Sequence, residues 1–116
     1  MSRDWRLYLN DMIESCQRIR DYTTGMNQAD LINNTMAYDA VLRNLEIIGE
    51  AVKGLPPHVR NRMPLIEWKK IMGMRNWLAH AYFGIDNEVV WDVVQNKIPE
   101  LHQNLEAFKA NADEQP

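Results

Sequence analysis

Apolar residues recur at intervals of three and four along most of the 116-residue chain, and this spacing constrains the fold more than any other feature. The clearest stripe consists of Val41, Leu45, Ile48, Val52 and Leu55. A helix with about 3.6 residues per turn brings such residues to one face, which can then pack against a core. No segment shows the alternation of a half-buried strand, so the sequence predicts an all-α fold.

Capping and helix-breaking residues set the predicted helix boundaries. They indicate helices over 4–22, 28–52 and 66–82, a short turn of helix at 58–63, and a further helix after Asp86, which is a plausible N-cap. Gly84 stands where a left-handed C-terminal cap is expected. Pro99 either kinks the helix that follows Asp86 or lies in the first turn of a last helix through about Ala110. We therefore expect an antiparallel bundle of four to five helices.

Length, charge and cysteine content limit the classes of function. The length suits one domain, which we assign to residues 1–110, with a frayed tail at 111–116. The chain has neither an apolar signal core nor a membrane-length apolar run, so we expect a cytoplasmic protein with no membrane partner. Cys16 stands alone, and the histidines are scattered at positions 58, 80 and 102. We expect no zinc or di-iron site and no cofactor.

The net charge of −3 hides an uneven distribution. Residues 53–82 contain six lysine or arginine side chains against the single carboxylate of Glu67. A local cationic patch of this kind suits the grip of one RNA segment or a nucleotide phosphate, whereas indiscriminate binding to a polyanion is disfavoured by the overall negative charge. The alternative is that these cations only make the surface soluble, and charge alone does not decide between the two.

The basic segment ends in the most distinctive stretch of the chain, Arg75-Asn76-Trp77-Leu78-Ala79-His80-Ala81-Tyr82. On one helix, Arg75, Ala79 and Tyr82 share a line, and Asn76 and His80 form the adjacent line. The opposite side carries the apolar stripe Ile71, Met74, Leu78 and Ala81. The polar face is either an ordinary solvated surface or a contact surface with chemistry, and its mixture of polar residues with Met72, Ala79 and Phe83 favours the second.

An arginine followed after four to six residues by His-x-Tyr is the pattern of HEPN domains, and the surrounding residues resemble the HepT-like branch of small prokaryotic toxins. The matching segments are residues 39–51, which contain Ile-Gly-Glu-Ala, residues 68–86, and the stretches Val90-Trp91 and Ile98-Pro99-Glu100-Leu101. The short motif alone is a weak signal. Together with the Ile-Gly-Glu-Ala segment at the expected separation it is a strong one, and the resemblance extends to about residue 108.

The resemblance implies roles for individual residues. Arg75 and His80 correspond to the catalytic pair of a metal-independent endoribonuclease, and Asn76 to the polar residue that commonly follows the arginine. Tyr82 corresponds to the tyrosine to which a partner nucleotidyltransferase antitoxin attaches AMP, which silences the toxin. From the residues alone, Tyr82 is better explained as an amphipathic aromatic side chain packed at a helix end. The family's active site is a composite formed at a homodimer interface.

The residue types suit cleavage of RNA. Imidazole titrates near neutral pH and can take the proton of a ribose 2′-hydroxyl or give one to the leaving 5′-oxygen. A guanidinium group supplies paired donors to the phosphate oxygens as charge develops there. Arg75 and His80 project about 140° apart on one helix, so a two-fold partner is needed to bring such groups into one cleft. We expect Met72, Ala79 and Phe83 at that interface, with Ala79 allowing close approach.

A different class of function remains open, namely a non-catalytic HEPN module that binds a nucleotide or docks a nucleotidyltransferase. Retention of the whole motif favours the enzyme.

Four further expectations concern polar residues and glycines. Asp39 and Arg43 should pair along one helix, and Glu46 and Glu50 should share a cation, either Arg75 of the same chain or that of a partner, or lie on a solvated face. Asn44 should be a hydrogen-bonded core residue. Gly49 and Gly73 should mark close approach of another helix, since each costs its helix roughly 1 kcal/mol.

Overall fold

The computed structural model describes the backbone of residues 3–79 and 84–114, and the side chains of the same residues except 75, 79, 113 and 114. Its helices are α1 (Trp5–Tyr22), α2 (Gln28–Asn33), α3 (Thr35–Ala51), α4 (Pro57–Arg60), α5 (Trp68–Ala79), α6 (Asn87–Asp92) and α7 (Ile98–Glu114). A 3₁₀ turn (Val52–Gly54) follows α3, and a π-helical segment (Val93–Lys97) joins α6 to α7. The described residues contain no strand, and the all-α helical fold is confirmed. None of the described helices has the length and apolar character of a membrane span.

The core forms where α1 packs against α3 and α7, and where α3 packs against α5. The stripe predicted in the first half of the chain is confirmed, since Val41, Leu45, Ile48, Val52 and Leu55 are all buried. The first helix contributes Leu9, Met12, Cys16 and Ile19, and the last contributes Ile98, Leu101, Leu105 and Phe108. Full burial of a large aliphatic side chain stabilises a fold by about 1.5–3 kcal/mol. Within this core, α3 is the long helix against which α5 packs.

The single long helix predicted over 28–52 is wrong, because the chain breaks at Asn34. Asn34 has extended backbone angles and ends α2, and its side-chain oxygen accepts a hydrogen bond from the backbone N–H of Ala37 at 3.0 Å to begin α3. The short helix has its own reciprocal cap, in which Asn27 and Asp30 exchange side-chain and backbone hydrogen bonds. Two good N-caps within eight residues stabilise two helix starts where the apolar periodicity suggested one.

In the described residues of the second half, the expected elements are present with small shifts, and the predicted end of the motif helix at residues 80–82 lies outside them. The motif helix begins at Trp68 instead of residue 66, and Gly84 has the positive φ, 101°, expected of it. Asp86 is an N-cap, accepting from the backbone N–H groups of Glu88 and Val89 at 2.9 and 3.4 Å. Pro99 lies in the first turn of α7, directly after the π-helical segment, and α7 continues beyond Ala110 to Glu114.

Close approach of backbone to a side chain occurs at Gly54, just after α3. A Cβ atom at this position would lie 2.1 Å from Cδ2 of Tyr8. The Tyr8 ring cannot move away freely, since it is half-buried and carries the Arg3 guanidinium 4.6 Å above its centroid. Gly54 thus allows the first helix to lie tightly against the end of α3.

Candidate active site

The apolar side of α5 faces the bundle. Ile71, Met74, Trp77 and Leu78 are partly buried against the core, and α5 contacts α3 and the 3₁₀ turn that follows it. The predicted core stripe of this helix is confirmed for Ile71, Met74 and Leu78. Its last member, Ala81, lies outside the described residues. The orientation of α5 follows from this packing, and the opposite face is directed away from the core.

That opposite face is exposed in the described part of the chain. Four exposed residues lie on it at successive intervals of three, one and three: Lys69, Met72, Gly73 and Asn76, with Met72 at 37% exposure. We call these four residues the α5 face. A Cβ atom at Gly73 would meet no atom within 4 Å. No other helix of the described chain approaches Gly73 closely, so a close contact there stays a prediction for a second copy. Gly49 is buried within α3.

The motif is only partly within the described structure. Arg75 and Ala79 lie in the helical backbone of α5, and Asn76 is an exposed residue on the α5 face. The side chains of Arg75 and Ala79 lie outside the described residues, as do His80, Tyr82 and Phe83 in full. The catalytic pair, the modified tyrosine and the contacts of Ala79 and Phe83 remain predictions from the sequence.

The polar line of α3 is organised differently from the expectation. The Arg43 guanidinium pairs with Glu46 at 3.5 Å, three residues further along the helix, in place of the predicted pair with Asp39. Glu50 pairs with Lys53 at 3.6 Å. Each glutamate thus has a cation nearby in sequence, and the expected role of Arg75 between them lies outside the described side chains. These pairs are solvent-exposed, so each contributes at most about 1 kcal/mol.

Asn44 is buried at 5% exposure, as predicted for a core polar residue. Its Nδ2 donates to the carbonyl oxygen of Ala40 at 2.8 Å, while Oδ1 is buried and accepts no hydrogen bond among the described residues. This hydrogen bond gives the side-chain NH₂ group a partner and leaves the side-chain oxygen without one among the described residues.

Arg60 is a candidate functional residue that the sequence did not single out. It lies at the end of α4, and its carbonyl oxygen accepts a hydrogen bond from the Trp68 indole Nε1 at 3.1 Å. Its Nη1 donates to the Met72 sulfur at 3.8 Å, and its Nε is buried with no hydrogen-bond partner. Arg60 and Met72 are twelve residues apart, so helical periodicity gave no signal for this contact. The Arg60 guanidinium therefore lies beside the α5 face.

The other cations of the basic segment divide into paired and unpaired groups. Lys53 pairs with Glu50, and Lys70 pairs with Glu67 at 2.7 Å, which lowers the pKa of Glu67 through that hydrogen bond and the charge on Lys70. Arg62 lies over the Phe108 ring, 4.9 Å from its centroid. Among the described side chains of residues 53–78, the following cations have no carboxylate within 4.0 Å: Arg60, Arg62 and Lys69.

The described side chains contain no group of three or more His, Cys, Asp or Glu residues that could hold a metal ion. A groove of about 200 Å³ lies beside the core-facing edge of α5, between Ile71 and Met74 on one side and Ile98 and Leu101 of α7 on the other. It opens on the opposite side of α5 from Met72 and Asn76. The groove therefore lies apart from the α5 face.

A helical bundle that carries an Arg-Asn motif helix with one face outward defines a HEPN-like domain. The chain belongs to the HepT-like ribonuclease family, since the family model described as "Ribonuclease HepT-like" matches residues 12–108. A "Putative RNase" of Methanocaldococcus jannaschii is 40% identical over 104 residues, covering 90% of this chain and 86% of that protein. The "Probable ribonuclease HepT" of Thermococcus cleftensis is 37% identical over 109 residues, covering 94% and 99%. No solved structure matches significantly.

Proposed function

We propose that this chain is a metal-independent endoribonuclease, the cytoplasmic toxin of a toxin–antitoxin pair. Arg75 and His80 are its catalytic residues, and Asn76 supports them. The observation that carries the proposal is the motif helix of a HepT-like ribonuclease turned with Met72, Gly73 and Asn76 outward. An exposed face can receive a polymer such as RNA, which a small enclosed cavity cannot.

The proposed reaction is attack of a ribose 2′-hydroxyl oxygen on the adjacent phosphorus. One His80 imidazole takes the 2′-hydroxyl proton as the new P–O bond forms, and an imidazolium gives a proton to the 5′-oxygen as its bond to phosphorus breaks. Arg75 donates paired hydrogen bonds to the non-bridging oxygens as negative charge builds there. Proton transfer and charge stabilisation are both supplied by side chains, so the reaction needs no metal ion.

A homodimer completes the proposed site. Two copies of the helix related by a two-fold axis place two arginines and two histidines in one cleft, with Met72, Ala79 and Phe83 in the contact. Two observations support an interface here: Met72 is a large apolar side chain exposed at 37%, and nothing in the described chain covers Gly73. A glycine in an exposed helix costs about 1 kcal/mol relative to alanine, and close contact with a second copy compensates for it.

Single substitutions test the catalytic assignment. Arg75→Ala and His80→Ala should abolish both cleavage of RNA and growth inhibition. The free energy of unfolding should stay within about 1 kcal/mol of wild type, because the sequence predicts both side chains on the polar face of the helix, where substitutions cost little. Excess EDTA should leave wild-type cleavage unchanged. Arg18→Ala, at an exposed position of α1, is the matched control and should cleave normally.

Cleavage by His80→Ala at the wild-type rate would show that the catalytic assignment is wrong. Wild-type protein that binds a nucleotide or a nucleotidyltransferase and cleaves no RNA would instead favour the second candidate, a non-catalytic HEPN module.

We also propose that a nucleotidyltransferase antitoxin silences the toxin by adding AMP to Tyr82. The adduct carries a phosphate, which pairs with Arg75 and the surrounding basic residues and so excludes RNA from the cleft. Co-expression of wild type with the antitoxin should add one or more AMP units by intact-mass analysis. Tyr82→Phe keeps the ring but lacks the acceptor oxygen, so it should remain toxic and escape neutralisation. Suppressed toxicity without added AMP would point to inhibition by complex formation.

A further inference from the structure

The cations near the motif differ in what they can still bind. Lys53 and Lys70 are already neutralised by Glu50 and Glu67. Arg62 covers the Phe108 ring, on a surface formed by α7 and Trp5 of α1. Arg60 is different, because it combines the lack of a carboxylate partner within the described residues with a position beside the α5 face.

Arg60 is also held in place more firmly than an ordinary surface arginine. The Trp68 indole fixes its carbonyl oxygen, and the contact with Met72 directs the guanidinium toward α5. A thioether is a weak acceptor, and a guanidinium has five N–H donors, so most of its hydrogen-bonding capacity is unused. A buried Nε without a partner destabilises the fold. Such a cost is expected where a side chain is retained for binding instead of for stability.

The position of Arg60 indicates its ligand. Met72 lies one helical turn before Asn76, and Lys69 lies almost one turn before Met72 on the same face. A cation beside this face therefore extends the surface on which Arg75 and His80 are expected to act. Arginine binds phosphate oxygens through paired hydrogen bonds, and contacts to the phosphate backbone position RNA without reading its sequence.

We propose that Arg60, assisted by Lys69, binds a backbone phosphate of the RNA next to the one that is cleaved. This inference rests on the proposed function for the identity of the ligand. In the two-fold dimer each protomer contributes one Arg60 at the edge of the composite cleft. Arg60 is thus a positioning residue for the substrate, and it takes no part in proton transfer.

Arg60→Met and Arg62→Met form a matched test pair, since both remove one charge from the same short segment. The probe is a fluorescein-labelled 2′-O-methyl oligouridylate, which lacks the attacking hydroxyl, and its binding is followed by fluorescence anisotropy at several salt concentrations. Arg60→Met should weaken binding about tenfold and reduce the slope of log K against log salt by about 0.7, the value for one phosphate contact on a single strand. Arg62→Met should match wild type in both. Arg60→Lys should recover the slope.

Thermal unfolding separates a binding role from a structural one. Arg60→Met should have a Tm equal to or above that of wild type, because it removes the buried unpaired Nε. Binding by Arg60→Met with the wild-type affinity and slope would overturn the inference, as would a wild type that does not bind the probe, or loss of binding together with a lowered Tm. A wild type whose salt-dependent binding of the probe requires Arg60, but which does not cleave RNA with free 2′-hydroxyls, would support this inference. The same result would contradict the proposed catalysis.

Discussion

At the scale of single residues, Cys16 and His102 are both buried and both lie apart from the proposed chemistry. Burial raises the pKa of the Cys16 thiol from 9.0 to about 12, although the nearby Arg20 guanidinium favours the thiolate. Cys16 is therefore a protonated core residue and no nucleophile. Nδ1 of His102 contacts Arg20 Nη1 at 3.1 Å, and Nε2 contacts Glu106 at 3.3 Å. Because arginine can only donate, Nδ1 must accept, and His102 joins α7 to α1.

The raised pKa of Cys16 predicts a loss of stability in alkaline solution. The thiol has a pKa of 9.0 in the unfolded chain and about 12 in the folded one. Above pH 9 the unfolded chain loses this proton while the folded chain keeps it, so the free energy of unfolding falls as the pH rises from 9 toward 12. The free energy of unfolding should fall between pH 9 and 11 by about 2 kcal/mol more in wild type than in Cys16→Ala. Urea unfolding at each pH measures this difference. If the free energy of unfolding fell equally with pH in the two proteins, the claim that the folded chain buries a protonated thiol would be contradicted.

At the same scale, the sequence located the motif but missed the contacts around it. The sequence alone could identify candidate functional residues in the motif, because residue type and spacing are local properties of the chain. These residues are Arg75, Asn76 and His80. Arg60 could not be selected, because its contact with Met72 depends on how α4 meets α5. The preference of Arg43 for Glu46 over Asp39 is likewise decided by side-chain conformation, which helical spacing leaves open.

At the scale of elements, the helices could be predicted where one apolar stripe runs without interruption. All five members of the stripe from Val41 to Leu55 are buried because a period of 3.6 residues fixes which side chains share a face. The break at Asn34 was missed because the apolar pattern on its two sides continues in nearly the same phase. An N-cap side chain stabilises a new helix start by about 1 kcal/mol. The spacing of apolar residues gives no information about this term.

Pro99 shows how tertiary structure settled an alternative that the sequence left open. Proline lacks a backbone N–H and its ring crowds the carbonyl one turn earlier, so an unmodified α-helix is disfavoured at this point. The chain responds with the wider turns of Val93–Lys97, in which the Ile98 N–H bonds to the Val93 carbonyl oxygen. Helix therefore continues from Asn87 to Glu114, and Ile98, Leu101 and Leu105 reach the core.

At the scale of the whole molecule, the proposed active site requires a second copy of the chain. The bundle covers the apolar side of α5 with its own core and leaves the opposite side, with Met72 and Gly73, in solvent. On an ideal helix Arg75 and His80 project about 140° apart, so the proposed mechanism requires a second chain to complete the catalytic set. The sequence predicts a homodimer from helix geometry and from the family resemblance. Whether two surfaces associate depends on both of them together, and the apolar spacing of one helix does not determine it.

Cleavage by a monomeric variant distinguishes a composite active site from one contained in a single chain. Ala79→Glu places a charge at the centre of the expected contact, where its desolvation is costly, and leaves Arg75 and His80 intact. Mass photometry and cleavage of labelled RNA should show a dimeric, active wild type and a monomeric, inactive Ala79→Glu variant with unchanged helical content. Ala110→Glu, the same change at an exposed position of α7, should remain dimeric and active. Monomeric Ala79→Glu protein that cleaves RNA at the wild-type rate would contradict the composite active site.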